Sequence, residues 1–344
     1  MRRPSSASPR PPPGAASASA DYSACVAAAL ARRATLLADP QTDVARLFNS
    51  ATDGIDGLVI EKLGPVLIAQ LHSGRLQLTE DAVRALCADV AQRCRANAVY
   101  RKDYPQDRTT SARDLDARHR DPTPWLGEPV EPEFTVFEAG VRFLVRPYDG
   151  YATGLFLDHR AARAQVRTLA AGRRVLNTFA YTCGFTVAAA LGGAAATVSV
   201  DLSKKYLEWG KRNLAVNGIA LDPHRFICSD IFAYYRRAVR QGHRFDLVIL
   251  DPPTFARRKD ARRPFSLLTE LEPLVSRALA LLDPGGLLHL SVNHRGTSQR
   301  RLEQVVVAAA QAQRRHGELL TCPPLPDDFR GDPDFAKSLL ARID

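Results

Sequence analysis

Leu247-Val248-Ile249-Leu250-Asp251-Pro252-Pro253-Thr254-Phe255 is the stretch on which the fold turns. Residues 247–250 are all aliphatic, with no alternation to polar residues. Such a run fits a strand covered on both faces, as strands of parallel sheets are. Directly after it stands an acid and then two prolines, which have no N–H to donate and fix the chain direction. The strand therefore ends abruptly in a rigid turn that carries a carboxylate.

Working outward, the same grammar recurs from residue 173 onward. Val175-Leu176-Asn177, Thr197-Val198-Ser199-Val200-Asp201, Arg225-Phe226-Ile227-Cys228 and Leu287-Leu288-His289-Leu290-Ser291 are further apolar β runs, each followed by a helical stretch. Five βα repeats predict a parallel sheet with helices on both faces, a doubly wound α/β fold. Ligands in such folds sit beyond the carboxyl ends of the strands, so those ends are the candidate site.

The first strand leads into Thr178-Phe179-Ala180-Tyr181-Thr182-Cys183-Gly184. With a single glycine this is no G-x-G-x-x-G loop, which disfavours pyrophosphate, but such a turn can bring backbone N–H groups and a helix start to a ligand. The second strand ends in Asp201, an acid placed to accept from both ribose hydroxyls of an adenosine-type cofactor. It could equally cap the next helix, a role Ser203 can also fill. Asp230, after the third strand, either accepts from an adenine amino group or caps the helix starting at Ile231. After the fourth strand, Asp251 and the Pro252 and Pro253 carbonyls present acceptors, and Phe255 offers a stacking face for a planar base. After the fifth, Asn293 and Arg295 face the pocket from the opposite side, while His294 reads as an ordinary loop histidine. Upstream, Asp158 and Arg160 either close over the cofactor or pair to fix the following helix.

Outside this domain the organisation is looser. Residues 1–20 read as a disordered basic tail: Arg2, Arg3 and Arg10 have no acid among them, and the alternative is an organellar transit peptide. Residues 21–100 read as a small α/β domain, with a helix over 21–38, a hairpin about Gly64-Pro65, a helix over 78–96 and a strand near Ala98. Residues 101–130, charged in both signs and without period, read as a linker, and residues 131–344 as the main domain.

Composition sets wide limits. The 344 residues are 45% hydrophobic and 24% charged, which excludes wholesale disorder. The formal net charge of +10 permits a polyanionic partner. Six scattered cysteines with no C-x-x-C pair argue against a metal cluster and for reduced thiols in the cytoplasm. Arg257, Arg258, Lys259, Arg262 and Arg263 stand against Asp260 alone, immediately after the Asp-Pro-Pro turn, where a phosphate backbone would pass.

Together these residues resemble the class I S-adenosylmethionine (SAM)-dependent methyltransferases that modify bases of bacterial 23S ribosomal RNA. Thr153-Gly154-Leu155-Phe156-Leu157-Asp158-His159-Arg160 is similar to the T-G-x-[FY]-L-D-x-R segment of that family. Asn177 to Gly184 is similar to its N-x-F-x-Y-T-x-G loop, and Asp251 to Phe255 to its D-P-P-x-F turn. The resemblance implies a Rossmann-like class I methyltransferase sheet. It implies a SAM site built from Phe156, Asp158, Arg160, Asn177, Phe179, Tyr181, Thr182, Gly184, Asp201, Leu202 and Asp230. Asp251, Pro252, Pro253, Phe255 and Asn293 would then hold the target base. Arg257, Arg258, Lys259, Arg262, Arg263 and Arg295 would grip RNA.

Two departures qualify the likeness. The stretch before residue 40 is too short for the family's usual N-terminal PUA domain, so basic patches would have to supply the RNA grip. Cytosine C5 is not nucleophilic and needs a thiolate to add to the ring first. The cytosine branch carries that cysteine after the fifth strand, where this chain has Ser291-Val292-Asn293-His294-Arg295-Gly296. The guanine-N7 branch has S-N-N-K-R-G there, and Y-L-E-W-x-x-R-N-L on an earlier helix. This chain has Tyr206-Leu207-Glu208-Trp209-Gly210-Lys211-Arg212-Asn213-Leu214. The expectation is therefore methylation of a ribosomal RNA base, leaning to guanine N7. The alternatives are cytosine C5, a small-molecule or protein substrate, and a non-catalytic RNA-binding factor.

Overall fold

Strands buried along most of their length build a first sheet. The computed structural model describes residues 15–105, 112–256, 265–329, 331 and 335–344, with side chains except at 15–21, 112–113 and 255–256. The chain divides into two units, residues 1–38 with 45–130, and residues 39–44 with 131–344. In the first unit, helices α1 (Ala15–Arg32) and α2 (Ala34–Leu37) precede strands β1 (Val44–Asn49), β2 (Leu58–Leu63) and β3 (Val66–Leu71). Helix α3 (Glu80–Arg93), strand β4 (Ala98–Asp103), helix α4 (Ala112–His119) and strand β5 (Leu126–Gly127) follow. The strands lie in the order β1-β2-β3-β4-β5. Leu58 and Ile60, Leu67 and Ala69 alternate inward against Val83, Leu86 and Val90 of α3. The Thr79 side chain accepts from the Ala82 N–H and caps α3.

Two expectations change here. Residues 15–20, read as part of a disordered tail, belong to α1, whose Ala-rich sequence favours helix; residues 1–14 lie outside the described residues. Residues 101–130, read as a linker, carry the end of β4, all of α4 and the edge strand β5. The mixed charges that suggested a loop sit on a solvated helix, where Arg120 pairs with Asp116 one turn away at 2.9 Å and Leu115 is buried.

The second unit opens with a hairpin, β6 (Phe134–Glu138) and β7 (Val141–Val145), and helix α5 (Arg160–Leu169). Then come β8 (Arg174–Thr178), α6 (Gly184–Leu191), β9 (Ala196–Asp201), α7 (Lys204–Ala215), β10 (Arg225–Cys228), α8 (Ile231–Arg240) and β11 (Phe245–Leu250). A short ribbon, β12 (Phe255–Ala256) and β13 (Phe265–Ser266), precedes α9 (Leu267–Leu279), β14 (Leu282–Val292), α10 (Gln299–Ala312), β15 (Gly317–Leu320) and β16 (Lys337–Ile343). The main sheet runs β10-β9-β8-β11-β14-β16-β15.

The five strands expected from the repeats are parallel to one another. The sheet is not wholly parallel, however: β16 is antiparallel to both β14 and β15. Closing the sheet with a C-terminal hairpin needs no further crossover helix. Within β11, Val248 and Leu250 pack with α8, α9 and α10, while Leu247 and Ile249 pack with α5 and α6. Both faces of the quoted run are therefore covered, as its lack of alternation required. Strand order reverses between β8 and β11, whose ends are level, Thr178 opposite Leu250. That reversal opens a crevice at the carboxyl edge of the sheet. No helix among the described residues is long and apolar enough to cross a membrane.

Candidate functional site

The loop from β8 into α6 is the most strained backbone near the crevice. Phe179, Tyr181 and Cys183 all take positive φ (55°, 48° and 63°) though none is glycine. Each such residue costs of order 1–3 kcal/mol and persists only where its surroundings over-determine it. The surroundings here do so. The Ala180 N–H donates to the Val200 carbonyl at 3.0 Å, the Thr182 hydroxyl to the Gly154 carbonyl at 2.6 Å, and the Asn213 amide to the Thr182 carbonyl at 2.8 Å. Asp201 completes the set: one carboxylate oxygen accepts from the Tyr181 N–H at 2.9 Å, the other from the Ser203 N–H at 2.8 Å.

A cavity of about 420 Å³ lies along this edge. Its walls come from every strand end of the reversal: Phe179 and Tyr181 after β8, Asp201 and Leu202 after β9, Ser229 and Asp230 after β10, Asp251 to Thr254 after β11, and Asn293 after β14. Phe156, Asp158 and His159 from the turn before α5 complete it, with Tyr206, Ile231, Phe232 and Phe265. Most of this lining is apolar or aromatic. Tyr181 meets Phe156 at a ring distance of 5.2 Å and the edge of Tyr206 at 4.5 Å.

Four acids interrupt the apolar wall, and three of them, Asp201, Asp230 and Asp251, do so in different ways. Burial pushes the Asp201 carboxyl above its usual range, against the pull of the N–H groups it accepts. Each of its oxygens has capacity for one more hydrogen bond, so the group can still receive a ligand's hydroxyls. Asp230 caps α8 by accepting from the Ala233 N–H at 3.0 Å, and it also lines the cavity. Asp251 is pushed up to about 6 by burial, opposed chiefly by His159, whose Nδ1 is 3.3 Å from Asp251 Oδ2.

Not every expected residue reaches the cavity. Arg160 is turned away from it: it bonds Asp328 at 2.9 Å and the Val44 carbonyl at 3.0 Å. Its pairing fixes the start of α5, through Asp328 rather than Asp158. Asn177 is buried inside β8 with its amide on the Thr186 hydroxyl, and Thr182 and Gly184 support the loop from behind. Arg295 is exposed outside the cavity wall, whereas the exposed Asn293 lines it and its carbonyl accepts from the Thr254 hydroxyl at 2.9 Å. His294 pairs with the Thr297 hydroxyl at 2.9 Å, as befits a loop histidine. The Phe255 side chain and the run Arg257, Arg258, Lys259, Arg262 and Arg263 lie outside the described residues.

Tyr206, His159, Phe232 and Phe265 escaped the sequence reading. His159 sits between the chosen Asp158 and Arg160, and Tyr206 sits inside a quoted stretch from which no site residue was taken, whereas Phe232 and Phe265 carried no local signal. Arg163 was also missed. It makes a buried two-pronged ion pair with Glu138 at 2.7 and 2.8 Å and donates to the Phe156 carbonyl at 2.9 Å, which sets the turn bearing Phe156 and Asp158.

A family model described as S-adenosylmethionine-dependent methyltransferase matches residues 83–340. The ribosomal RNA large subunit methyltransferase of Deinococcus radiodurans is 31% identical over 334 residues, covering 94% of this chain and 79% of that protein. Ribosomal RNA large subunit methyltransferase K of Neisseria meningitidis serogroup B is 43% identical over 198 residues, 58% of this chain and 54% of that protein. The chain thus spans about half of the Neisseria protein, and 26% of the K/L protein of Pseudomonas paraeruginosa that it also matches. Among solved structures, SMU.776 complexed with SAH superposes with a TM-score of 0.82 at 26% identity, over 94% of this chain and 81% of that one. With three-quarters of its length matched by the family model, the chain belongs to the S-adenosylmethionine-dependent methyltransferases.

Proposed function

We propose that this chain methylates guanine N7 in large-subunit ribosomal RNA. The observation that carries the choice of base atom is that none of the six cysteines lines the cavity. Cys183 is in the loop before α6, but it is buried and its thiol is pushed up to about 12. Cys228 is exposed at the end of β10, with its thiol toward the Leu202 carbonyl at 3.4 Å. Covalent activation of cytosine C5 has no thiolate to use, whereas guanine N7 has a free lone pair and needs only positioning. The ribosomal RNA activities named for the Deinococcus and Neisseria relatives support the substrate class.

The residues fit SAM. Asp201 suits the ribose hydroxyls, and the apolar faces of Phe179, Ile231 and Phe232 suit a flat adenine beside Asp230. Phe156, Asp158, Tyr181 and Leu202 line the remainder, while Asn177, Thr182 and Gly184 shape the loop. When bound, SAM supplies an electrophilic methyl on sulfonium sulfur. Asp251 and the Pro252 and Pro253 carbonyls accept from the guanine N1–H and amino group, with Asn293 on another edge and Phe255 as the stacking partner. With the base held this way, its N7 lone pair would be left free to take the methyl that bound SAM would supply, the carbon–sulfur bond breaking as the carbon–nitrogen bond forms and the positive charge passing to the base. A base paired in the RNA is first swung out of its stack. Arg257, Arg258, Lys259, Arg262, Arg263 and Arg295 hold the phosphate backbone.

The test is to incubate the purified chain with SAM and large-subunit RNA from a strain lacking the gene, then digest to nucleosides for mass spectrometry. 7-Methylguanosine is expected. 5-Methylcytidine would overturn the base atom, and no methylated nucleoside would overturn the RNA reading.

A further inference from the structure

His159 is a buried residue in the wall of the cavity. Its Nδ1 is 3.3 Å from Asp251 Oδ2 and its Nε2 is 3.9 Å from Asp158 Oδ2, so the ring lies between two carboxylates. Phe185 of α6 packs on the ring at 5.4 Å and Phe156 at 6.3 Å. Both acids and the histidine line the same cavity. The other charged or titratable groups facing this cluster are Arg163 of α5 and His289 of β14. Arg163 is already committed to Glu138 and to the Phe156 carbonyl. His289 lies beyond Phe185 at 5.6 Å, fully buried, and burial drives it far down toward the neutral form.

The Asp-Pro-Pro turn explains why Asp251 needs such a neighbour. An acid at a strand end ordinarily draws on the N–H groups of the next few residues, as Asp201 does with Ser203. Pro252 and Pro253 remove two of those donors. His159 is the leading group that opposes the effect of burial on Asp251, ahead of Arg163.

Resting on the reading of Asp251 as the acceptor for the base, we propose that His159 is a positioning residue for methyl transfer, aiming the Asp251 carboxylate at the N–H edge of the base and keeping it an acceptor. An ionised carboxylate only accepts; a protonated one presents an O–H to the guanine N–H groups and loses the match. Removal of His159 leaves the burial of Asp251 unopposed by its main partner. Protonation then moves toward neutral pH, and the acid limb of the rate profile moves with it.

Two variants separate orientation from charge. His159→Asn puts an amide N–H close to where Nδ1 lies, and His159→Phe keeps ring volume but has no donor. In the free protein, the Asp251 carboxyl is followed by carbon NMR against pH, its signal assigned by its loss in Asp251→Asn. The titration midpoint is expected to rise by about one unit in His159→Phe. With SAM and ribosomal RNA, kcat is expected to fall about 100-fold in His159→Phe and about 10-fold in His159→Asn, the partial rescue that a lost orienting contact predicts. SAM affinity by calorimetry serves as the fold control and is expected to stay within about threefold. An unchanged Asp251 midpoint in a His159→Phe protein that still binds SAM overturns the inference, as does equal loss of kcat in both variants. A wild-type protein that methylates no ribosomal RNA overturns the substrate reading instead, and the titration still decides the role of His159.

Discussion

Asp201 shows how one carboxylate can serve both the fold and a ligand. Its two oxygens hold the Tyr181 and Ser203 N–H groups and so fix the strained loop, yet each retains capacity for one further bond. Loss of the side chain removes both functions. Asp201→Ala is expected to weaken SAM binding about 100-fold or more in calorimetry, since a hydrogen bond to a charged group contributes roughly 1.5–3 kcal/mol. Asp201→Asn, which keeps one acceptor oxygen, is expected to lose less. Unchanged affinity in Asp201→Ala would remove Asp201 from the cofactor site. The acid itself was legible because it ends an apolar run. Its second role was not, because the Tyr181 N–H that it holds lies twenty residues away and meets it only in the folded sheet. For the same reason Arg160 was misjudged: its partner Asp328 is 168 residues distant.

Among the elements, helix α7 comes unusually close to the loop ahead of α6. A Cβ added at Gly210 would lie 2.7 Å from Cys183 Cβ and closer still to its sulfur. Glycine in a helix interior ordinarily costs about 1 kcal/mol relative to alanine. Gly210→Ala should therefore stabilise the helix if nothing packed against it. The contact with Cys183 reverses the sign. Gly210→Ala is expected to lower stability by about 1–3 kcal/mol through overpacking and to weaken SAM binding by displacing the loop. Thermal denaturation and a SAM titration check both, and a raised melting temperature would contradict the contact. The helix and its glycine can be read in Tyr206 to Leu214, but the residue against which the glycine packs cannot. The antiparallel strands β15 and β16 were likewise illegible, since nothing in a single strand's sequence names its partner or its direction.

At the scale of the whole molecule, the net charge of +10 is unevenly spread. Five positive charges against one acid stand directly after the Asp-Pro-Pro turn that borders the cavity. Replacing Arg257, Arg258, Arg262 and Arg263 together by Gln is expected to weaken RNA binding and to flatten its dependence on salt. Each phosphate contact contributes about 0.7–0.9 to that slope, so a change of up to about 3 is expected. SAM affinity should not move. Filter binding over a range of salt concentrations measures the slope, and an unaltered slope would take this run out of the RNA interface.

Apolar runs punctuated by acids and turns determined the parallel strands, their covering helices and the strand ends where a ligand would sit. These are properties of local order, since burial on both faces leaves its mark on every residue of the strand. Only the tertiary structure decided which strand ends share one cavity, that Arg160 faces away from it, and that His159 and Tyr206 face into it. It also decided that no cysteine lines the cavity. Such facts depend on strand order and on contacts between residues far apart in the chain, and no single stretch of sequence records them.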